Sequence, residues 1–149
     1  MTTEYPKLYF EDVDLGDEIG PVVLSVSDEQ VVDFCSLWGN PAPNRFTDQA
    51  EAERVGLEGP IVPGIMTMAL VSRVLTDWAG AETVADLDLV FRGSVPHNEP
   101  LHMGIQISDT SEDDTGNMVQ CDITMTNPAA DRRYLIGTAM LNLPSRDAA

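Results

Sequence analysis

The stretch WGNPAPNRFTDQAEAERVGLEGPIVPGIM, residues 38–66, gathers side chains that can orient a polar substrate. The amides of Asn40 and Asn44 can hold a water or a carbonyl, or simply make turns, which asparagine favours. Arg45 can meet a phosphate or an amide oxygen, or stay a solvated loop charge. Asp48 reads as a base or as a residue at a helix start. Thr67, just beyond, lines a pocket or packs. The only histidines are His97 and His102. His97 falls in the turn VPHNEP and is expected to be exposed; His102, inside a strand, can face either way. Neither stands in HxxxH or HExxH spacing, and Cys35 and Cys121 form no CxxC pair, so no metal site is expected. Cys35 lies on the apolar face of a predicted helix and reads as a buried thiol. Without a Walker loop or a dinucleotide fingerprint, no cofactor is expected.

The elements that would position these residues follow from local pattern. VVLSV, residues 22–26, is predicted as a strand after the turn chemistry of DLGDEIGP. Ser27, with Gln30 three residues on, makes a capping-box pattern, and Asp28 and Glu29 suit the positive end of a helix dipole. Val31, Phe34, Cys35 and Trp38 recur at helical spacing, and Gly39 ends that helix. Prolines two apart hold NPAPNRF extended or turned. TDQAEAERVG is a short helix capped by Thr47 and stopped by Gly56, and LEGPIVPG is a second rigid loop. Residues 65–79, IMTMALVSRVLTDWA, are apolar nearly all round, with Ser72, Arg73 and Asp77 as one wet stripe, so a buried helix is expected.

Four strands follow: VADLDLVFRGSV, PLHMGIQISD, NMVQCDITMTN and RRYLIGTAMLNL. Alternation is clear in Val84, Leu87, Leu89 and Phe91, and in Val119, Cys121, Ile123 and Met125. PHNEP, SEDDTG and NPAADR are the turns, and their shortness favours an antiparallel meander. The end, PSRDAA, is expected to fray. The sum is an α+β chain with at least five strands curled around one long helix. A second subunit is expected to cover the sheet edge and the helix's remaining apolar surface.

A chain of 149 residues fits one domain, 1–149, and its 43% hydrophobic and 22% charged content is globular. No apolar run of ~18 residues is present, so no membrane span is expected. The opening MTTEYPKLYFEDVDLGDE lacks a basic-then-apolar leader, so the cytoplasm is the expected location. A net charge of −17 argues against nucleic acid and anionic membranes as partners. It also sets a condition on any phosphorylated ligand, which would need a local basic patch. Lys7 is the only lysine, so that patch must come from Arg45, Arg54, Arg73, Arg92, Arg132 or Arg133.

YFEDVDLGDEI, FTDQAEAERVGLEGPIVPGIMTMALVSRVL, VFRGSV and GTAMLNLP resemble, in that order, four segments of the MaoC-like dehydratases, or (R)-specific enoyl-CoA hydratases. The central one is the most specific. In the family an H-x-D lead is followed by an alanine-rich turn, a Gly, and I-V-H-G-M opening the long helix. The resemblance implies a hot-dog fold and the addition or removal of water across the double bond of a CoA or carrier-protein thioester. It also implies an Asp/His dyad in a G-D-x-N-P-x-H loop. One group accepts a proton from water while another supplies one near the α-carbon. A backbone N–H at a helix N-terminus stabilises the thioester oxygen as enolate character develops.

Spacing back from Asp48 puts the family's His on Phe46 and its Asp on Pro41, or on Asn40 with one residue inserted. Matching NP to Asn40-Pro41 instead puts Pro43 at the His position. Neither register supplies a carboxylate or an imidazole. Gly64 matches the oxyanion donor, and Pro63 replaces the usual His but keeps the helix N-terminus. The resemblance therefore leaves Gly64, Asn40 and Asn44 as the groups at the reacting centre, and Arg45, Phe46, Pro63 and Thr67 as those against the substrate.

Three functions fit. The first is a subunit of an acyl-thioester hydratase or dehydratase, supplying fold and substrate tunnel to a second hot-dog subunit that carries the dyad. The second is an autonomous hydratase or thioesterase with a rearranged site using Asp48, His97 or His102. The third is a non-catalytic module that binds acyl-CoA, or a structural homodimer.

Overall fold

The computed structural model describes residues 7–148; the parts of the leader and tail expectations that rest on residues 1–6 and 149 lie outside them. In chain order the main elements are β1 Glu18–Leu24, α1 Asp28–Leu37, α2 Gln49–Arg54, the two-residue β2 Ile61–Val62, α3 Gly64–Ala79, β3 Val84–Phe91, the two-residue β4 Val95–Pro96, β5 Leu101–Asp113, β6 Gly116–Asn127 and β7 Arg132–Leu143. Five strands form one antiparallel sheet in the order β1-β5-β6-β7-β3, and β2 pairs separately with β4. The β5–β6–β7 meander is the one that the short turns favour.

Period-two alternation builds the core. Leu101, Met103, Ile105 and Ile107 of β5, Val119, Cys121, Ile123 and Met125 of β6, and Leu135, Ala139, Leu141 and Leu143 of β7 are all buried. They join Val71, Leu75 and Ala79 of α3 in one cluster, with Met66, Leu70, Val74 and Trp78 packed against it. Burying each large aliphatic side chain stabilises the fold by about 1.5–3 kcal/mol. The one wet stripe expected of α3 is exposed at Arg73 and Asp77, but Ser72 is half-buried, and the stripe runs on through Ile65 and Ala69, four residues apart. Arg73 pairs with Asp77 at 3.8 Å along it.

The capping box of α1 forms as its sequence predicts. The Gln30 N–H donates to Ser27 Oγ at 3.2 Å, and the Ser27 N–H donates to Gln30 Oε1 at 2.9 Å. Other boundaries move. Asp48, not Thr47, is the N-cap residue of α2, because the Thr47 hydroxyl is engaged by the loop before it. β1 starts at Glu18, since a bulge between Ile19 and Val22 takes up Gly20 and Pro21. A second bulge, between Val84 and Asp86, breaks strict alternation in β3. β5 runs through Ser111, Glu112 and Asp113, and the hairpin loop is only Asp114-Thr115. The tail is tied down through Arg146, which bonds Asp12 and lies over the Tyr9 ring.

The two sheet edges differ. β1 carries Pro21 and the bulge, while β3 pairs with β7 continuously from Asp86 to Phe91. β3 lies very close to its neighbour. A Cβ on Gly137 would stand 2.2 Å from the Asp88 carbonyl oxygen, so only glycine fits there. Among the described residues no helix is long and apolar enough to cross a membrane.

Candidate active site

α1 ends in a turn at Gly39, whose φ of +84° suits a residue without Cβ. The loop from residue 40 to 48 then closes on Asn44. The Asn44 Nδ2 donates to the carbonyls of Asn40 at 2.8 Å and Pro41 at 3.3 Å, while its Oδ1 accepts from the Phe46 N–H at 2.8 Å. The Asn44 N–H donates to Thr47 Oγ1 and to Asp48 Oδ2. The Thr47 hydroxyl donates to that same Asp48 oxygen. The amide of Asn44 is thus taken up in holding the loop. Asn40 enters this network through its backbone, its N–H donating to Cys35 O at 2.8 Å. Burial raises the Cys35 thiol above its usual range, against a smaller lowering by a bond to Asn44.

Phe46, the position that resembles the family's His, buries its ring to 6% exposure in the core. The ring lies 6.2 Å from that of Trp38, which lies 5.8 Å from Phe34. The Arg45 guanidinium sits 4.5 Å from the Phe46 centroid, a cation–π arrangement that keeps it on the loop. The ring expected to line the substrate is therefore a core residue, because Trp38 and the cluster beneath it offer apolar cover.

The start of α3 differs. β2 leads into buried Pro63, the N-cap, with φ −57° and ψ 138°. Its carbonyl accepts from the N–H groups of Met66 and Thr67 at 3.0 and 3.2 Å. No backbone carbonyl among the described residues accepts the N–H of Gly64 or Ile65, as expected of a first helical turn. Thr67 is 1% exposed, and its hydroxyl donates to Gly64 O at 2.7 Å. A Cβ on Gly64 would touch the Phe91 ring at 3.4–3.6 Å. Phe91 and Ile65, 49% and 50% exposed, leave the surroundings of this amide apolar and open. Sequence reasoning missed Phe91 as the neighbour of Gly64; its place at the end of a strand followed by Arg92-Gly93 was the available signal.

The remaining ionisable candidates stand elsewhere. The exposed turn expected for His97 is corrected: its side chain is 7% exposed, and Nδ1 lies 2.8 Å from Asp28 Oδ1 across 69 residues of sequence. Hydrogen bonds from His97 and then Asn98 hold the Asp28 carboxyl below its usual range. β4 runs antiparallel to β2, with Val95 opposite Val62 and Pro96 opposite Ile61, so His97 continues away from Gly64. His102 lies between buried Leu101 and Met103, on the opposite face of β5 from the core. A depression of about 250 Å³ lined by Glu18, Gln106, Asp122 and Thr124 shares no residue with the loop or with Gly64.

What the arrangement can do is bounded by these contacts. The α3 N-terminus can accept a developing oxyanion. Between Trp38 and Thr47 the loop has no carboxylate or imidazole, and the Asp48 carboxylate that closes it accepts from the Asn44 N–H and the Thr47 hydroxyl.

In overall fold the chain is similar to the R-hydratase PhaJ1 from Pseudomonas aeruginosa, with a TM-score of 0.80 and 17% identity over 94% of this chain and 88% of that one. It is similar to the (R)-hydratase from A. caviae involved in PHA biosynthesis, with a TM-score of 0.78 and 18% identity over 90% and 99% of the two chains. It is also similar to a chain of the ChsH1–ChsH2 complex from Mycobacterium tuberculosis, with a TM-score of 0.75 and 14% identity over 87% and 98%. These likenesses establish the hot-dog fold, an antiparallel sheet with one long helix. No curated protein matches the chain in sequence. Residues 16–127 match the family model described as the MaoC like domain, and the chain belongs to that family.

Proposed function

We propose that this chain is a subunit of an acyl-thioester hydratase or dehydratase that binds a CoA or carrier-linked acyl thioester at the α3 N-terminus and borrows its acid and base from a second hot-dog subunit. One observation carries this reading. The Gly64 N–H remains available beside Phe91, while the loop that would hold the dyad is closed on Asn44 and plugged by Phe46. In its catalytic part, Gly64 stabilises the thioester oxygen, with Asn40 as the loop amide outside the Asn44 network. Pro63 and Thr67 hold the turn that presents Gly64, while Arg45 and the buried Phe46 ring close the loop. A missing positioned acid or base costs roughly 10²–10⁴-fold each.

The apolar surface at Ile65, Val90 and Phe91, next to the open β3 edge, supports a partner subunit on that side. The ChsH1–ChsH2 complex is a precedent of the same fold in which two components assemble. The soluble cytoplasm is the proposed location.

Hydration of crotonyl-CoA, followed by loss of enoyl absorbance, tests the reading. The purified chain alone is expected to show no turnover, and activity is expected to appear on mixing with a MaoC-like subunit carrying an intact G-D-x-N-P-x-H loop. Full activity of the chain alone would overturn it.

A further inference from the structure

The molecule is strongly acidic, with 8 basic and 25 acidic residues, so where its cations go is informative. Among the described residues five of the eight are engaged. Arg54 pairs with Glu51, Arg73 with Asp77 and Arg146 with Asp12, while Arg45 lies over Phe46 and Lys7 over Tyr9. The other three, Arg92, Arg132 and Arg133, are exposed and have no carboxylate of the described residues within salt-bridge distance.

These three converge on one corner of the sheet. Phe91, the last residue of β3, is opposite Leu135 of β7. The next residue, Arg92, donates its N–H to Tyr134 O at 2.8 Å. Gly93 packs against the Arg133 carbonyl, and β7 begins with Arg132 and Arg133. Of the carboxylates at this corner, Glu99 accepts from Asn127 Nδ2 at 3.4 Å, and the exposed Asp131, next to Arg132 in the turn, makes no salt bridge among the described residues. Phe91, whose ring touches the position of Gly64, lies between that amide and the arginines. A single ligand that placed a carbonyl on the Gly64 N–H and ran past Phe91 would bring its far end to the only group of unpartnered cations among the described residues.

We infer that Arg92, Arg132 and Arg133 form the docking site for the phosphorylated end of a pantetheine-type acyl thioester. The inference rests on the proposed binding of a thioester at Gly64 and adds to it where the anionic end goes. Guanidinium groups suit phosphate oxygens through charge-assisted, bidentate hydrogen bonds. Elsewhere the acidic surface repels a phosphate, so this corner also fixes the direction in which the ligand enters. CoA and a carrier's prosthetic arm share the pantetheine phosphate, and CoA adds nucleotide phosphates.

Binding of crotonyl-CoA, crotonyl-phosphopantetheine and crotonyl-pantetheine to the full chain tests the inference by calorimetry, in the native protein and in Arg92→Gln, Arg132→Gln and Arg133→Gln. The phosphate-free thioester is expected to bind all four proteins equally, which also verifies that the variants fold. The phosphorylated ligands are expected to lose roughly three- to ten-fold in affinity per arginine, with a weaker dependence on salt. Loss for both phosphorylated ligands places the pantetheine phosphate at the corner; loss for crotonyl-CoA alone places the nucleotide phosphates there. Unchanged crotonyl-CoA binding in all three variants would overturn the inference and leave the thioester reading standing. Failure of the native chain to bind any of the three ligands would remove the thioester reading and the inference with it.

Discussion

The loop from residue 40 to 48 and the first turn of α3 are both turn-rich, polar in backbone and close to proline. They differ in what their hydrogen-bonding groups have left to offer. In the loop, Asn44 binds two carbonyls and one N–H, Thr47 and Asp48 bind the Asn44 N–H, and Phe46 sinks into the core. At α3 the Gly64 N–H has no backbone acceptor among the described residues and an aromatic ring beside it. The difference teaches that polar residue type is a poor guide to chemistry. An asparagine with every strong donor engaged is a structural strut, and a glycine with an unengaged N–H can be the more reactive position.

The sharpest way to break that comparison is Gly64→Pro. Proline is tolerated at the first helical position, where the N–H has no helical partner, and Pro63 already has the extended conformation required before a proline. The variant should melt close to the native protein. In the two-subunit enzyme it should lose about 10²–10³-fold in turnover of crotonyl-CoA, as expected for removal of one oxyanion donor. Turnover at the native rate would show that this amide is idle. Asn44→Ala comes next, with an expected loss of about 2–3 kcal/mol of stability in denaturant titration, from two or three hydrogen bonds at about 1 kcal/mol each. Asn40→Ala should cost less than about 0.5 kcal/mol, since that side chain is outside the network. Equal effects at the two asparagines would erase the distinction between strut and free amide.

Smaller effects sharpen it further. Thr67→Val should cost about 1 kcal/mol in thermal melts, for one buried hydroxyl bond to Gly64 O in a nearly isosteric swap. The smallest concerns the thiols. Burial pushes Cys121 up to about 11 and raises Cys35, so both stay protonated at pH 8. Mass spectrometry after alkylation of the folded protein at that pH should find neither cysteine modified, and both modified once the protein is unfolded.

What the sequence disclosed divides along local and non-local lines. The Ser27–Gln30 box, the span of α3 and the alternation of β6 depend on neighbours within a few residues, and all three appear in the fold. The turn reading of Asn44 was available for the same reason, since its bonds to Asn40, Pro41, Phe46, Thr47 and Asp48 all stay within four residues of it. His97 was misjudged because its partner, Asp28, lies 69 residues away and only the packing of β4 against the start of α1 brings them together. Phe91 was missed because its meeting with Gly64 depends on the pairing of β3 with β7. The hot-dog fold was legible through resemblance. Which of the resembling positions still carry usable groups was not, because satisfaction of hydrogen bonds is a property of the closed loop and not of its letters.

The asymmetry of the sheet margins carries a final consequence. A proline inside a bulge blunts the β1 side, whereas β3, past the bulge at its first residues, runs without a break from Asp86 to Phe91 and carries no proline. If two such sheets meet along β3, the margins left at either end of the joined sheet are both β1, and neither is a good template for another strand. Growth by edge addition then terminates after a single junction, so crowding such a protein would favour discrete pairs over fibrils.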